Sequence, residues 1–184
     1  MEIEVSAEAK DKRLNRLVAM TVVVLSVFTG LCGIKDGNIV QAMQAAQAAS
    51  VDTWNQYQAT RTKLHLAEGE RQQLALLAPP GKAEAAIAGL DKDIAKYTAE
   101  APDLAKAAKA QGDLYDALNV HDDQFDAADA AIATAISLAA VAALAETAAL
   151  VWAAWAFGAF GLFMGIEGFA GGGFHPAMLS TFLG

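Results

Sequence analysis

The stretch HDDQFDAADAA, residues 121–131, sets His121 beside Asp122, Asp123, Asp126 and Asp129. Asp122, Asp126 and Asp129 follow i, i+4, i+7 spacing, which puts three carboxylates on one stripe of a helix. Carboxylates so placed hold Ca²⁺ or Mg²⁺ when further oxygens join them. The chain offers no EF-hand loop, no Glu-x-x-His pair and no His-Glu-x-x-His motif to complete such a site. The expectation is therefore a solvated acidic collar without metal. A second stretch, VDTWNQYQATRTK at 51–63, spaces Trp54, Tyr57, Gln58 and Arg61 along one helical face with Lys63 nearby. A ligand-binding face is one reading. The expected one is two aromatic seam residues that bury area and keep a polar tip in water.

Three single residues raise chemistry of their own. His175, in GGGFHPAM, is a lone imidazole that a haem or pigment could use as an axial ligand. Its flanking Gly and Pro favour an interfacial loop, and no cofactor is expected. Glu146 and Glu167 are the only charged residues after Ala130 and are candidates for ion movement. Cys32 is the single cysteine, which excludes an internal disulfide and any multi-cysteine metal site. Leu31 before it does not suit a lipidation signal, so Cys32 reads as a small buried hydrophobe.

These residues sit in a chain that is 55% hydrophobic with mean hydropathy +0.30, too apolar for an ordinary soluble domain of 184 residues. A net charge of −8 and the lack of any Lys or Arg beyond Lys109 argue against a nucleic-acid partner, because phosphate binding needs clustered bases.

Leu17 to Ile34 is an uncharged run whose helical length, about 27 Å, matches the hydrocarbon core of a bilayer. Lys10, Lys12, Arg13 and Arg16 precede it, and Lys35 after it is offset by Asp36, so the N-terminus is expected in the cytoplasm. A cleaved leader is the alternative to an uncleaved anchor. Residues 130–145 and 147–168 form two further spans, with Glu146-Thr147 as the turn, or else one tilted helix with Glu146 inside the bilayer. Gly158, Gly161, Gly165 and Gly168 recur at spacings of three, four and three, a small-residue seam for packing against the first span, the second, or another copy. Residues 169–184 form an apolar tail.

Between the first and second spans, residues 35–129 are rich in helix formers and acids and are expected to form a long extracytoplasmic arm. Pro79-Pro80-Gly81 ends its first limb, and Ala101-Pro102-Asp103 is expected to interrupt the second, so the two limbs run antiparallel. A heptad pattern in the second limb places Leu104, Gln111, Leu118, Phe125 and Ile132 in one seam position and Ala107, Leu114, His121 and Ala128 in the other. The first limb answers through Val40, Met43, Gln47, Ser50, Trp54, Tyr57 and Leu64. In this register Trp54 faces residue 106 or so, and His121 faces residue 40 or so. The aspartates after His121 then point outward.

Two of these stretches carry a resemblance. ASVDTWNQYQATRTKLH after an N-terminal span, HDDQFDAADAAI leading into a second, and a third span close behind are similar to the bacterial membrane family catalogued as domain of unknown function 4337. The resemblance covers most of the chain and implies an N-terminal anchor, a helical segment and a C-terminal pair of spans. It implies no activity, so it supplies no catalytic residues. The expected whole is an all-α protein of three transmembrane helices with an antiparallel coiled-coil-like hairpin between the first and second. Its expected role is non-enzymatic, in the bacterial inner membrane, as a homo-oligomer or an accessory subunit of a larger complex. Alternatives are an ion-transport component using Glu146 or Glu167, and a pigment- or haem-associated subunit using His175.

Overall fold

The computed structural model describes residues 2–79 and 81–174, with side chains from residue 12 onward. Three helices follow in order: α1 (Glu2–Leu77), α2 (Glu84–Leu144) and α3 (Ala148–Ala170). No strand occurs among the described residues. All three helices are long and apolar enough to cross a membrane.

The chain divides into two compact units. One is built from α1 up to Gln41, α2 from Ala117, and α3; the other is Ala42–Asp116. Residues 35–41 and 117–129, the two ends of the expected arm, pack in the three-helix unit.

In the two-helix unit α1 continues unbroken until Pro79, where the missing N–H and the fixed φ stop it. Gly81 then takes φ +81 and reverses the chain, with the Lys82 N–H donating to the Pro79 carbonyl at 3.1 Å. Ser50 Oγ donates to the Ala108 carbonyl at 3.2 Å, and Arg71 pairs with Asp91 nearer the turn, so the helices are antiparallel.

Buried and half-buried positions of α1 recur at alternating spacings of three and four: Met43, Ala46, Ser50, Thr53, Tyr57, Thr60, Leu64 and Ala67. Facing them on α2 are Ala101, Leu104, Ala108, Gln111 and Tyr115. The expected seam holds at Met43, Ser50, Tyr57 and Leu64 on α1 and at Leu104 and Gln111 on α2, while the other expected position on each helix is shifted. Trp54 is 40% exposed, Gln47 and Leu114 are also exposed, and Thr53 takes the seam place given to Trp54. Small residues such as Ala101 and Ala108 draw the backbones together, so the indole is displaced to the edge, its ring edge-on to Tyr57 at 5.4 Å. Pro102 also departs from expectation, for α2 passes through it without interruption. Proline in a helix interior costs about 3 kcal/mol. Its ring is exposed while Ala101 and Ala108 beside it stay buried, so packing on α1 holds the helix across the defect.

In the three-helix unit α1 and α3 run parallel, with α2 antiparallel to both. Val18 packs with Ala139, Ala142, Val151 and Ala154; Leu25 with Ile132 and Ala135; Met164 with Ala127 and Ala128. The Trp155 Nε1–H donates to Thr21 Oγ1 at 2.9 Å, tying α3 to α1. The glycine seam of α3 faces inward. An added Cβ at Gly158 would lie 3.2 Å from Leu25 Cδ1, at Gly161 2.6 Å from Ile132 Cγ1, at Gly165 3.0 Å from Cys32 Sγ, and at Gly168 2.8 Å from Phe125 Cζ. Phe125 and Phe28 then close on Phe169 edge-to-face.

A helix break separates α2 from α3. Glu146 adopts φ +49, and the Thr147 N–H reaches back to the Ala142 carbonyl at 3.2 Å, the six-to-one bond of a Schellman cap. The residues expected to form the turn do form it, with a glutamate in the place glycine usually fills.

Two outcomes follow from this packing. Glu146→Gly relieves the left-handed conformation and raises stability by about 1 kcal/mol, read as a higher thermal midpoint in detergent. Gly161→Ala meets the Ala128 carbonyl oxygen at 3.0 Å as well as Ile132 and lowers that midpoint, by about 1–3 kcal/mol of overpacking. Gly158→Ala presses only on the mobile end of Leu25 and costs less.

Candidate functional site

The chemistry-bearing residues gather where α1 leaves the three-helix unit. Extending the three-and-four spacing of α1 back from Met43 gives Ile39, which is buried, and then Asp36, which is half-buried. On α2 the same spacing runs from Leu118 to Asp122 and Phe125. Asp36 and Asp122 therefore meet across the helix pair and share a side-chain hydrogen bond. Asp122, expected to point outward, instead faces α1, because the seam position runs through Ala108, Tyr115 and Asp122, one residue after the expected Ala107, Leu114 and His121. Asp126 and Asp129 remain exposed on the same stripe.

Asp36 Oδ1 is sealed from solvent and meets no N–H or hydroxyl donor. Two carboxylates in contact with so little solvation favour a single shared proton. Burial, the charge of Asp36 and the hydrogen bond to it push the Asp122 carboxyl up to about 6. Burial also raises Asp36, with Asp126 and Asp129 adding like charge, and burial followed by Asp122 raises Asp126. Lys35 is exposed and does not enter the pair.

Beside the carboxyl pair lies a residue that the sequence did not single out. Gln124 is 0% exposed; its Nε2 donates to the carbonyls of Gly172 at 3.0 Å and Phe174 at 2.6 Å. Its Oε1 lies 3.0 Å from His121 Nδ1, which donates in the tautomer that completes the bond. A buried amide must satisfy its donors inside the protein, and Gln124 does so by clasping the chain after α3. Gly171 supplies the left-handed cap (φ +70) that turns this segment back, and a side chain at Gly172 would strike the Glu167 carboxylate.

The other candidates are dispersed. Phe125 is 2% exposed and packs on α3, while Leu118 and His121 are half-buried, all three within the three-helix unit. Trp54 and Tyr57 belong to the two-helix unit. There Tyr57 and Arg61 border a cavity of about 190 Å³ opposite Pro102, and Arg61 approaches His65 Nε2 at 3.3 Å. Glu146 is exposed in its turn, and Glu167 is half-buried near the end of α3. Cys32 is buried against Gly165. His175 lies outside the described residues. Among the described residues no group of three or more His, Cys, Asp or Glu side chains is arranged to hold a metal ion.

Fold and site thus define an all-helical chain with three long apolar helices, an acidic carboxyl pair at one end of its three-helix unit, and a glycine-faced third helix. The chain belongs to the family described as Domain of unknown function (DUF4337), whose model matches residues 14–171. The match ends at Gly171, the cap of α3, and so takes in both units. No curated protein and no solved structure matches the chain.

The carboxyl pair gives the fold a pH dependence of defined sign. The folded state holds the Asp122 proton to higher pH than an unfolded aspartate does, so the stabilisation is present in acid and is lost as pH rises through about 6. The thermal midpoint falls as pH rises from about 4, the ordinary aspartate range, through about 6, and Asp122→Asn flattens that fall. A pH profile unchanged by Asp122→Asn would show that the pair does not share a proton.

Proposed function

We propose that the protein is a non-enzymatic membrane scaffold, anchored in the bacterial inner membrane by three spans and projecting its two-helix unit as a coiled-coil-like arm on the extracytoplasmic side. The observation that carries this reading is what the three-helix unit leaves outside. Met20, Val23, Val27, Leu31 and Ile34 on α1, with Trp152, Phe157, Phe163 and Ile166 on α3, are all exposed. A soluble domain does not present so continuous an apolar face, whereas hydrocarbon solvates it without cost.

Charge supports the orientation. Arg13 and Arg16 stand just before the apolar part of α1, and the Asp36–Asp122 pair stands just after it. The basic end belongs on the cytoplasmic side by the positive-inside rule. The arm is a pair of helices with a slight excess of acids, and its hollow of about 490 Å³ beside Gln44, Gln47 and Asn55 is an open surface depression, which suits contact with protein better than chemistry. Its partners in this reading are further copies of the chain or the subunits of a larger membrane complex. The glycine seam, which meets α1 and α2, serves the internal bundle, so assembly falls to the arm and the lipid-facing surfaces. The transport alternative draws no support from Glu146, exposed in its turn, or from Glu167, placed near a helix end.

Labelling of single cysteines in intact cells, in a Cys32→Ala background, tests the topology. Gly81→Cys reacts with an impermeant maleimide from outside the cytoplasm, and Asn15→Cys reacts only after lysis. The opposite pattern contradicts the proposed orientation. Purification in mild detergent yields more than one copy or a stable partner, and a lone monomer contradicts the assembly role.

A further inference from the structure

We propose that the groove between α1 and α3 binds one acyl chain of an anionic phospholipid whose phosphate is held by Arg13 and Arg16. The groove is a cavity of about 220 Å³ lined by Thr21, Val24, Leu25, Trp155, Gly158, Ala159 and Leu162. It exists because Gly158 and Ala159 put no bulk where α3 crosses α1. Its volume falls below the range of about 300–1,000 Å³ usual for compact ligands, which suits a narrow chain.

The lining offers a ligand no free polar group. The Trp155 indole N–H is bonded to Thr21 Oγ1, and the Thr21 hydroxyl itself donates to the Leu17 carbonyl at 2.9 Å. Only hydrocarbon gains from entering such a slot. The groove also opens on the lipid-facing side, because Val24 is among the exposed residues.

Charge complementarity selects the head. Arg13 stands eleven positions before Val24, about three helical turns, and therefore lies on the same face of α1 about 16 Å above it. Leu17 and Met20, both exposed, fill the face between them and make an apolar track from the arginine to the groove. Arg16 borders the same track one turn before Met20. Arg13 and Arg16 are exposed, and guanidinium groups bind phosphate oxygens through paired N–H donors. Trp152, edge-to-face with Trp155 at 5.2 Å, is exposed on the arginine side of the groove, where an interfacial indole belongs.

The inference rests on the membrane reading above, and the experiment separates the two. Full-length protein carrying Trp54→Phe and Trp152→Phe leaves Trp155 as the sole indole, inside the groove. It is reconstituted in phosphatidylcholine vesicles containing a minor share of brominated phosphatidylglycerol or brominated phosphatidylcholine. Trp155 fluorescence is quenched at several-fold lower mole fraction by the anionic lipid, by about fivefold for each arginine engaged. Arg13→Gln with Arg16→Gln abolishes the preference, and Ala159→Leu, which fills the groove from an exposed position, weakens quenching by both lipids. Equal quenching by the two lipids overturns the proposal. So does an unquenched Trp155 in protein that floats with the vesicles, which would show the groove covered by a second copy. Protein that fails to float at all overturns the membrane reading itself.

Discussion

The structure depends on how closely α3 can approach its two neighbours. Apolar helices gain little from burying side chains against one another where the surroundings are equally apolar, so their association rests on van der Waals contact between near backbones. Gly158, Gly161, Gly165 and Gly168 make that contact possible. Leu25, Ile132, Phe28, Cys32 and Phe125 occupy the space that side chains at those glycines would fill. Remove the seam and Phe125 loses its seat, and with it the turn of α2 from which Gln124 clasps the chain beyond α3.

This close approach also explains the polarity of the unit. With three helices in register, the basic end of α1 comes level with the α2–α3 turn, and Asp36 comes level with Asp122. Each end therefore carries charge of one dominant sign, with an apolar belt of bilayer thickness between. The same register puts Asp36 and Asp122 in contact, so that the packing at the acidic end favours a proton between them below pH of about 6. In our reading the belt sits in hydrocarbon, and this acidic end is where the polypeptide passes into water.

Much of this was legible in the sequence, and the failures share a cause. Hydropathy found all three apolar helices, Pro79-Pro80-Gly81 found the reversal, and Glu146-Thr147 was the turn even without glycine or proline. The match to the family over residues 14–171 agrees with the resemblance carried by residues 49–65 and 121–132. Misassignment began with bulk. Choosing the bulky Trp54 over Thr53 shifted one position on α1 by a residue, and on α2 the aliphatic Leu114 stood in for Tyr115, whose hydroxyl weakens its hydropathy signal. The shifted register then turned Asp122 outward and hid its partner Asp36. Pro102 misled for a different reason, since its local cost is outweighed by packing that no local pattern displays. Gln124 left no trace, for the carbonyls that its amide N–H groups reach are 48 and 50 residues away.

The central claim is that the apolar belt of the three-helix unit is solvated by lipid hydrocarbon. A nitroxide at Val27, an outward-facing position in the middle of the first apolar segment of α1, reports this directly when the protein is placed in lipid vesicles. The account predicts relaxation dominated by oxygen, which concentrates in the bilayer, with little effect of a water-soluble nickel chelate, and the reverse for a nitroxide at Gln56 in the arm. A label at Val27 that the nickel complex reaches as readily as it reaches Gln56 would contradict it.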